Sequence, residues 1–406
     1  MGIGHQVVWS AIEQRASGIR TIQRLVECGF PFTIGGEVPD FDGKQYIQPR
    51  KSLKVMCREI QLGITAAELA WADAGLPNSP DAPCQIDPER LGVVLGSNVY
   101  RSEIDELGPL YQEATKNGKF VLGTWESAMK KLYPLWMLKY LPNMTACQIG
   151  IAKDARGPNN TITLGEVSGL LAIIEAADSI SRGHADIMLT GATGSMLSWV
   201  DVCWKGGAGM SRNNADPAGA TRPFDKRRDG FVMSEGASVF VLESRVHAEQ
   251  RGANIWGTVL GHGRRCEVVP RGKSLTGSAI SQAIQAALSM GGISPQEVGH
   301  VSAHGLATPA DDAIEAAAIH QTLGEVPVTA PKSFVGNSGP SGGALQLAFS
   351  LLGLQHNTIP PTLNCDQPDC PIQVVTQPQR PTSPVFMTLS HNLTGQAVAL
   401  LVNGSP

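Results

Sequence analysis

Three polar residues stand beside glycines in turns that could carry out chemistry: Glu166 after Gly165, His304 before Gly305, and Asn337 after Gly336. The first lies in Gly157-Pro158-Asn159-Asn160-Thr161-Ile162-Thr163-Leu164-Gly165-Glu166-Val167-Ser168-Gly169, which reads as a strand, a tight turn and a helix start. Such a turn lifts one residue out at a helix N-terminus, where backbone N–H groups can receive an oxyanion; a Ser or Cys there would be a nucleophile. A glutamate is equally at home there as an ordinary charge at the positive end of a helix. His304 follows a buried strand in Ala303-His304-Gly305-Leu306-Ala307-Thr308-Pro309, as either a structural histidine or a site residue. Asn337, in Lys332-Ser333-Phe334-Val335-Gly336-Asn337-Ser338-Gly339, would complete a three-point set in which two members could hydrogen-bond one carbonyl oxygen.

The elements that must position these residues alternate. Leu91–Gly96 is an apolar run between glycines, the pattern of a strand buried on both faces. Strands are expected at Ala185–Thr193, Ala237–Glu243, Ile255–Gly261, Val298–Ala303, Val385–Ser390 and Ala397–Val402. Helices are expected at Trp9–Arg20, Met56–Ala74, Leu170–Ile180, Ser278–Met290, Asp311–Gln321 and Ala344–Leu354. This alternation predicts a layered α/β fold, and two Gly-rich turns that each launch an apolar helix suggest internal duplication. Residues 101–141, with Trp125, Tyr133, Trp136 and Tyr140, read as an inserted helical region capping a cavity or a partner surface. The charged turn from Arg222 to Val232 reads as an internal ion-pair network, because Asp225 and Asp229 offset much of its basic charge.

Composition excludes several function classes. With a net charge of −4 and 17% charged residues, no basic field is available for nucleic acid. The apolar runs 170–177 and 344–354 are about half the ~20 residues of a membrane span. No secretory signal is visible and the eight cysteines lack paired close spacing. They read as reduced thiols, most of them buried, in a cytosolic protein, with no zinc site.

In their order along the chain these motifs resemble the β-ketoacyl synthases of the thiolase superfamily. The resemblance rests on Gly157-Pro158, the elbow, Arg222-Pro223-Phe224-Asp225 with Arg228-Asp229-Gly230-Phe231, Glu235-Gly236-Ala237, His304-Gly305 with Thr308-Pro309, Lys332-Ser333, and Pro360-Pro361-Thr362-Leu363-Asn364. It implies a thiolase-like duplicated five-layer αβαβα fold, here with halves at 1–245 and 246–406. It also implies a homodimer or heterodimer with the strand before the elbow at the interface, acyl carrier protein as partner, and neither cofactor nor metal. Matched by position, the family's nucleophilic cysteine falls on Glu166, its first histidine on His304 and its second on Asn337. Its lysine falls on Lys332, acidic positions on Asp312 and Glu315, and a further acidic position on Gln346. Its gating loop, which contributes an oxyanion N–H, falls on Asn392, Leu393, Thr394 and Gly395.

A glutamate forms no useful thioester and would repel a malonyl carboxylate, so condensation by this chain alone is not expected. The resemblance then points to the chain length factors, non-condensing partners of an active synthase, with Glu166 as a polar plug bonded to helix N–H groups or paired with His304. A malonyl-carrier decarboxylase using His304 and Asn337 is the alternative, and a fold-only protein of another pathway a third. The resemblance also places a central strand and a Pro-x-Gly turn ahead of the helix containing Trp9. The expectation is that the start has been assigned late or that the strand is absent, leaving unpaired backbone and a core gap.

Overall fold

The computed structural model describes residues 1–77, 86–205, 207–270 and 274–405. Its longer helices are α1 (His5–Glu13), α2 (Arg58–Asp73), α3 (Ile104–Glu113), α4 (Leu122–Met129), α5 (Met144–Lys153), α6 (Ser168–Ser181), α7 (Ser278–Gly291), α8 (Pro309–Leu323) and α9 (Gly342–Gln355). The strands of one sheet are β1 (Leu91–Gly96), β2 (Asn159–Ile162), β3 (Ile187–Ser195) and β4 (Glu235–Glu243), in the order β2-β1-β3-β4. A second sheet contains β5 (Gly257–Cys266), β6 (His300–Ser302), β7 (Pro327–Thr329), β8 (Gln373–Val374), β9 (Val385–His391) and β10 (Gln396–Gly404), in the order β8-β7-β6-β9-β10-β5.

Five layers result, helix-sheet-helix-sheet-helix. Helices α2 and α5 cover the outer face of the first sheet, α7 and α8 the outer face of the second, and α6 lies with α9 between the two. Because β1 is covered on both faces, all six of its residues are buried, which is why its sequence is an unbroken apolar run. The middle helices are apolar nearly all round for the same reason, and bury Leu170, Ile173, Leu347 and Leu351 against Phe386 and Leu400 of the second sheet. Their N-termini approach so closely that a Cβ on Gly169 would lie 2.7 Å from the Pro340 carbonyl oxygen. One on Gly343 would lie 2.7 Å from Leu170 Cγ.

Several expectations need correction. The first helix spans 5–13 rather than Trp9–Arg20; Arg20 and Thr21 are extended and pair with Ile34 and Gly35. Of the seven cysteines in the described residues only Cys365 is buried, so most are not; Cys84 lies outside the described residues. Neither sheet has a gap at its centre. In the second sheet β5 flanks β10 antiparallel, whereas the matching edge of the first sheet, along β4, is open and faces a cavity of about 1000 Å³ lined by α1, α2, α6 and α9. In the inserted region, Trp136 packs on the core beside buried Tyr140, while Tyr111, Phe120 and Trp125 cluster on its outer side. Among the described residues no helix is long and apolar enough to cross a membrane.

Candidate active site

The elbow is tied from both sides. Gly165 takes φ 62°, which glycine adopts without a steric penalty. Ser168 Oγ accepts from the Leu164 N–H at 2.8 Å and donates to the Gly165 carbonyl at 2.7 Å. From the end of β9, Ser390 Oγ donates to the Glu166 carbonyl at 2.7 Å, and Asn392 Nδ2 donates to the Leu164 carbonyl at 3.2 Å. Glu166 is half-buried, and its carboxylate makes no hydrogen bond or ion pair among the described residues. The expected plug is therefore not formed: the carboxylate bonds neither the backbone N–H groups at the helix start nor His304, whose Nδ1 is engaged by Lys332.

Helix α8 builds the loop that carries His304. Thr308 caps it, accepting from the Asp311 N–H at 3.3 Å, and Pro309 occupies its first turn. Two carboxylates on α8 then hold the loop. Buried Glu315 accepts from the N–H groups of His304 at 2.6 Å and Gly305 at 2.8 Å. Buried Asp312 accepts from Ala307 N–H at 3.0 Å and Phe224 N–H at 2.8 Å, fixing two non-glycine residues that each have φ 64°. Burial pushes Asp312 up to about 7 against these bonds. It pushes Glu315 up too, but His391 and the two N–H groups hold that carboxyl below its ordinary value.

Lys332 is buried and donates to the His304 carbonyl oxygen at 2.7 Å, with His304 Nδ1 at 3.1 Å and Gln346 Oε1 at 3.4 Å. Burial lowers its pKa to about 8, opposed by the charges of Glu315, Glu166 and Asp312. Burial, and after it Lys332 and His391, push His304 well below the ordinary histidine value. The ammonium at Nδ1 makes that nitrogen the acceptor, so the neutral ring carries its proton on Nε2 as a donor. Gln346 donates from Nε2 to the carbonyls of Ala303 at 2.5 Å and Leu389 at 3.0 Å, joining β6 to β9 behind the lysine.

Asn337 is buried but makes no hydrogen bond with His304; its Oδ1 accepts from the Gly339 N–H at 3.2 Å. The Gly339–Ser341 turn packs directly on the elbow, which brings the second Gly-rich turn and position 166 together. Asn392, Leu393, Thr394 and Gly395 form the tight connection from β9 to β10. Asn392 Oδ1 accepts from the Thr394 N–H at 3.1 Å and the Gln396 N–H at 3.2 Å, and Leu393 is 76% exposed.

Two residues of this cluster carried no signal of their own in the sequence: Ser390 and His391, at the end of β9. His391 is buried, its ring centroid is 4.5 Å from that of His304, and its Nε2 is 3.7 Å from Glu315 Oε2. The charged turn forms the expected network. Asp225 accepts from Arg227 Nε at 3.0 Å and from the Gln367 N–H at 2.7 Å, and Arg228 pairs with Asp369.

Residues 1–248 match the family model for the β-ketoacyl synthase N-terminal domain, and residues 256–366 that for the C-terminal domain. The chain is 32% identical over 368 residues to 3-oxoacyl-[acyl-carrier-protein] synthase 2 of Vibrio cholerae, covering 89% of this chain and 84% of that protein. It is also 32% identical over 375 residues to the tetracenomycin polyketide synthase ketoacyl synthase alpha subunit of Streptomyces glaucescens (91% and 85% covered). Among solved structures, a β-ketoacyl synthase from Burkholderia phymatum superposes with TM-score 0.86 at 25% identity, over 98% of this chain and 95% of that one. The ishigamide ketosynthase/chain length factor superposes with TM-score 0.83 at 27% identity, over 98% and 94%. A type II polyketide synthase acyl-carrier protein in complex with its ketosynthase, bound to the hexaketide, superposes with TM-score 0.81 at 25% identity, over 100% and 96%. Motif order, a duplicated five-layer fold and matches over nearly the full length agree: the chain belongs to the β-ketoacyl synthase family.

Proposed function

We propose that this chain is a ketosynthase-like subunit that does not condense, the chain length factor-like partner of an active β-ketoacyl synthase in type II fatty acid or polyketide synthesis. The observation that carries this reading is the carboxylate of Glu166, half-buried and unpaired on an elbow whose bonds are otherwise complete. A carboxylate cannot hold an acyl chain as a thioester, while the scaffold that presents it is intact. The chain length factor and the carrier-protein complex among the structural relatives support the corresponding partners, an active synthase subunit and acyl carrier protein. In this reading 1–245 and 246–406 are the two halves, 101–141 is an insertion at a partner surface, and Asn392–Gly395 replaces the gate. The subunit acts in the cytoplasm.

A second reading, decarboxylation of a malonyl carrier, is favoured by one observation. Lys332 at Nδ1 leaves His304 Nε2–H free to donate to a developing enolate oxygen, with Asn337 beside the elbow.

Intact-mass measurement after incubation with acyl-loaded carrier protein tests the first reading. The native chain is expected to gain no acyl mass and a Glu166→Cys variant to gain one acyl group; acylation of the native chain would refute it.

A further inference from the structure

Asn337 stands where the resemblance puts a second histidine, yet the site still contains two imidazoles. The other is His391, at the last position of β9, directly before the connection to β10. Its ring lies against His304, with centroids 4.5 Å apart and planes inclined at 49°. The side chain is more than nine-tenths buried, and its Nε2 has no hydrogen-bond partner. An unsatisfied ring nitrogen in such a place is costly unless something else engages it. A carboxylate oxygen of Glu315 lies 3.7 Å from it, too long for a hydrogen bond. Glu315 is fixed by the N–H groups of His304 and Gly305, so it cannot move toward His391 without releasing the loop.

The chain on either side of His391 is tied to the elbow. The preceding residue, Ser390, bonds the Glu166 carbonyl, and the following residue, Asn392, bonds the Leu164 carbonyl. The end of β9 and the connection that follows it thus hold the elbow and carry the second imidazole between them. Asn337, whose Oδ1 is occupied by Gly339, has no proton to transfer.

We propose that His391 is the proton donor of a decarboxylating site, acting beside His304 on a thioester that carries a β-carboxylate. This rests on the second reading above. The Cα–carboxylate bond breaks and its electron pair moves into the thioester, forming an enolate as CO₂ departs. His304 Nε2–H holds the enolate oxygen. His391 gives its ring proton to Cα, yielding the acetyl thioester, and takes a proton back from water. The net change is malonyl thioester plus one proton to acetyl thioester plus CO₂.

The test follows conversion of malonyl- to acetyl-carrier protein by mass spectrometry with the native chain, His391→Phe and His391→Ala. The native chain is expected to convert. His391→Phe should slow conversion by about 100-fold or more, the usual share of a general acid, and added imidazole should restore much of the rate to His391→Ala. Equal conversion by native chain and His391→Phe would overturn the role of His391 and leave the decarboxylating reading standing. Loss in both variants without imidazole rescue would assign His391 a packing role only. No conversion by the native chain would overturn both.

Discussion

At the scale of single residues, the site is controlled by a buried lysine. Lys332 touches His304 through both the ring nitrogen and the backbone carbonyl, so it sets the histidine tautomer and the position of the loop together. Its native pKa of about 8 lies below the 10.5 of a free lysine because burial disfavours the ammonium. Between those two values the unfolded chain binds more protons than the native one, so this group makes stability rise with pH across roughly pH 8 to 10.5. A Lys332→Met variant lacks that contribution. Denaturant midpoints measured from pH 7 to 10 should show the native protein gaining on the variant as pH rises; a constant difference would mean that Lys332 titrates as if in water.

At the scale of elements, the two middle helices set how closely the two Gly-rich turns approach. Gly169 opens α6 against the Pro340 carbonyl at a distance no side chain tolerates. Gly169→Val is expected to cost about 2–3 kcal/mol of stability through overpacking in urea titration, and an unchanged midpoint would mean that the turns can separate freely. This part of the design was legible in the sequence, since both Gly-rich turns and both apolar helices fall where the periodicity put them. The first helix was less legible: the spacing of Ile12 and Ile19 looks helical, but Arg20 and Thr21 are drawn into pairing with Ile34 and Gly35, a long-range contact that local pattern does not encode. His391 was hidden for the same reason. In sequence it is one residue beside the Asn392–Gly395 loop, and only the fold brings it against His304, which arrives from a different strand. Glu166 shows the opposite case, where residue type alone carried the chemical conclusion but not the bonding. The structure shows its carboxylate bonded neither to the helix start nor to His304, whose Nδ1 is engaged by Lys332.

At the scale of the whole molecule, the proposed role combines the family's scaffold with an elbow that presents a carboxylate and no thiol. The second sheet, the carboxylates that hold the His304 loop, and the Arg222–Val232 network with Asp366 and Asp369 are in place, while the first sheet is open along β4. The departures that the resemblance implies fall on Glu166 at the elbow, Asn337 at the second histidine position and the Asn392–Gly395 connection. A subunit of this kind contributes surface and cavity shape to a complex whose reacting thiol belongs to another chain. The measurement that tests this most directly is formation of a β-ketoacyl carrier product from acyl- and malonyl-loaded carrier protein, by the purified chain alone and by its complex with a synthase bearing an elbow cysteine. The account predicts product from the complex and none from the chain alone; β-ketoacyl product from the chain alone would contradict it.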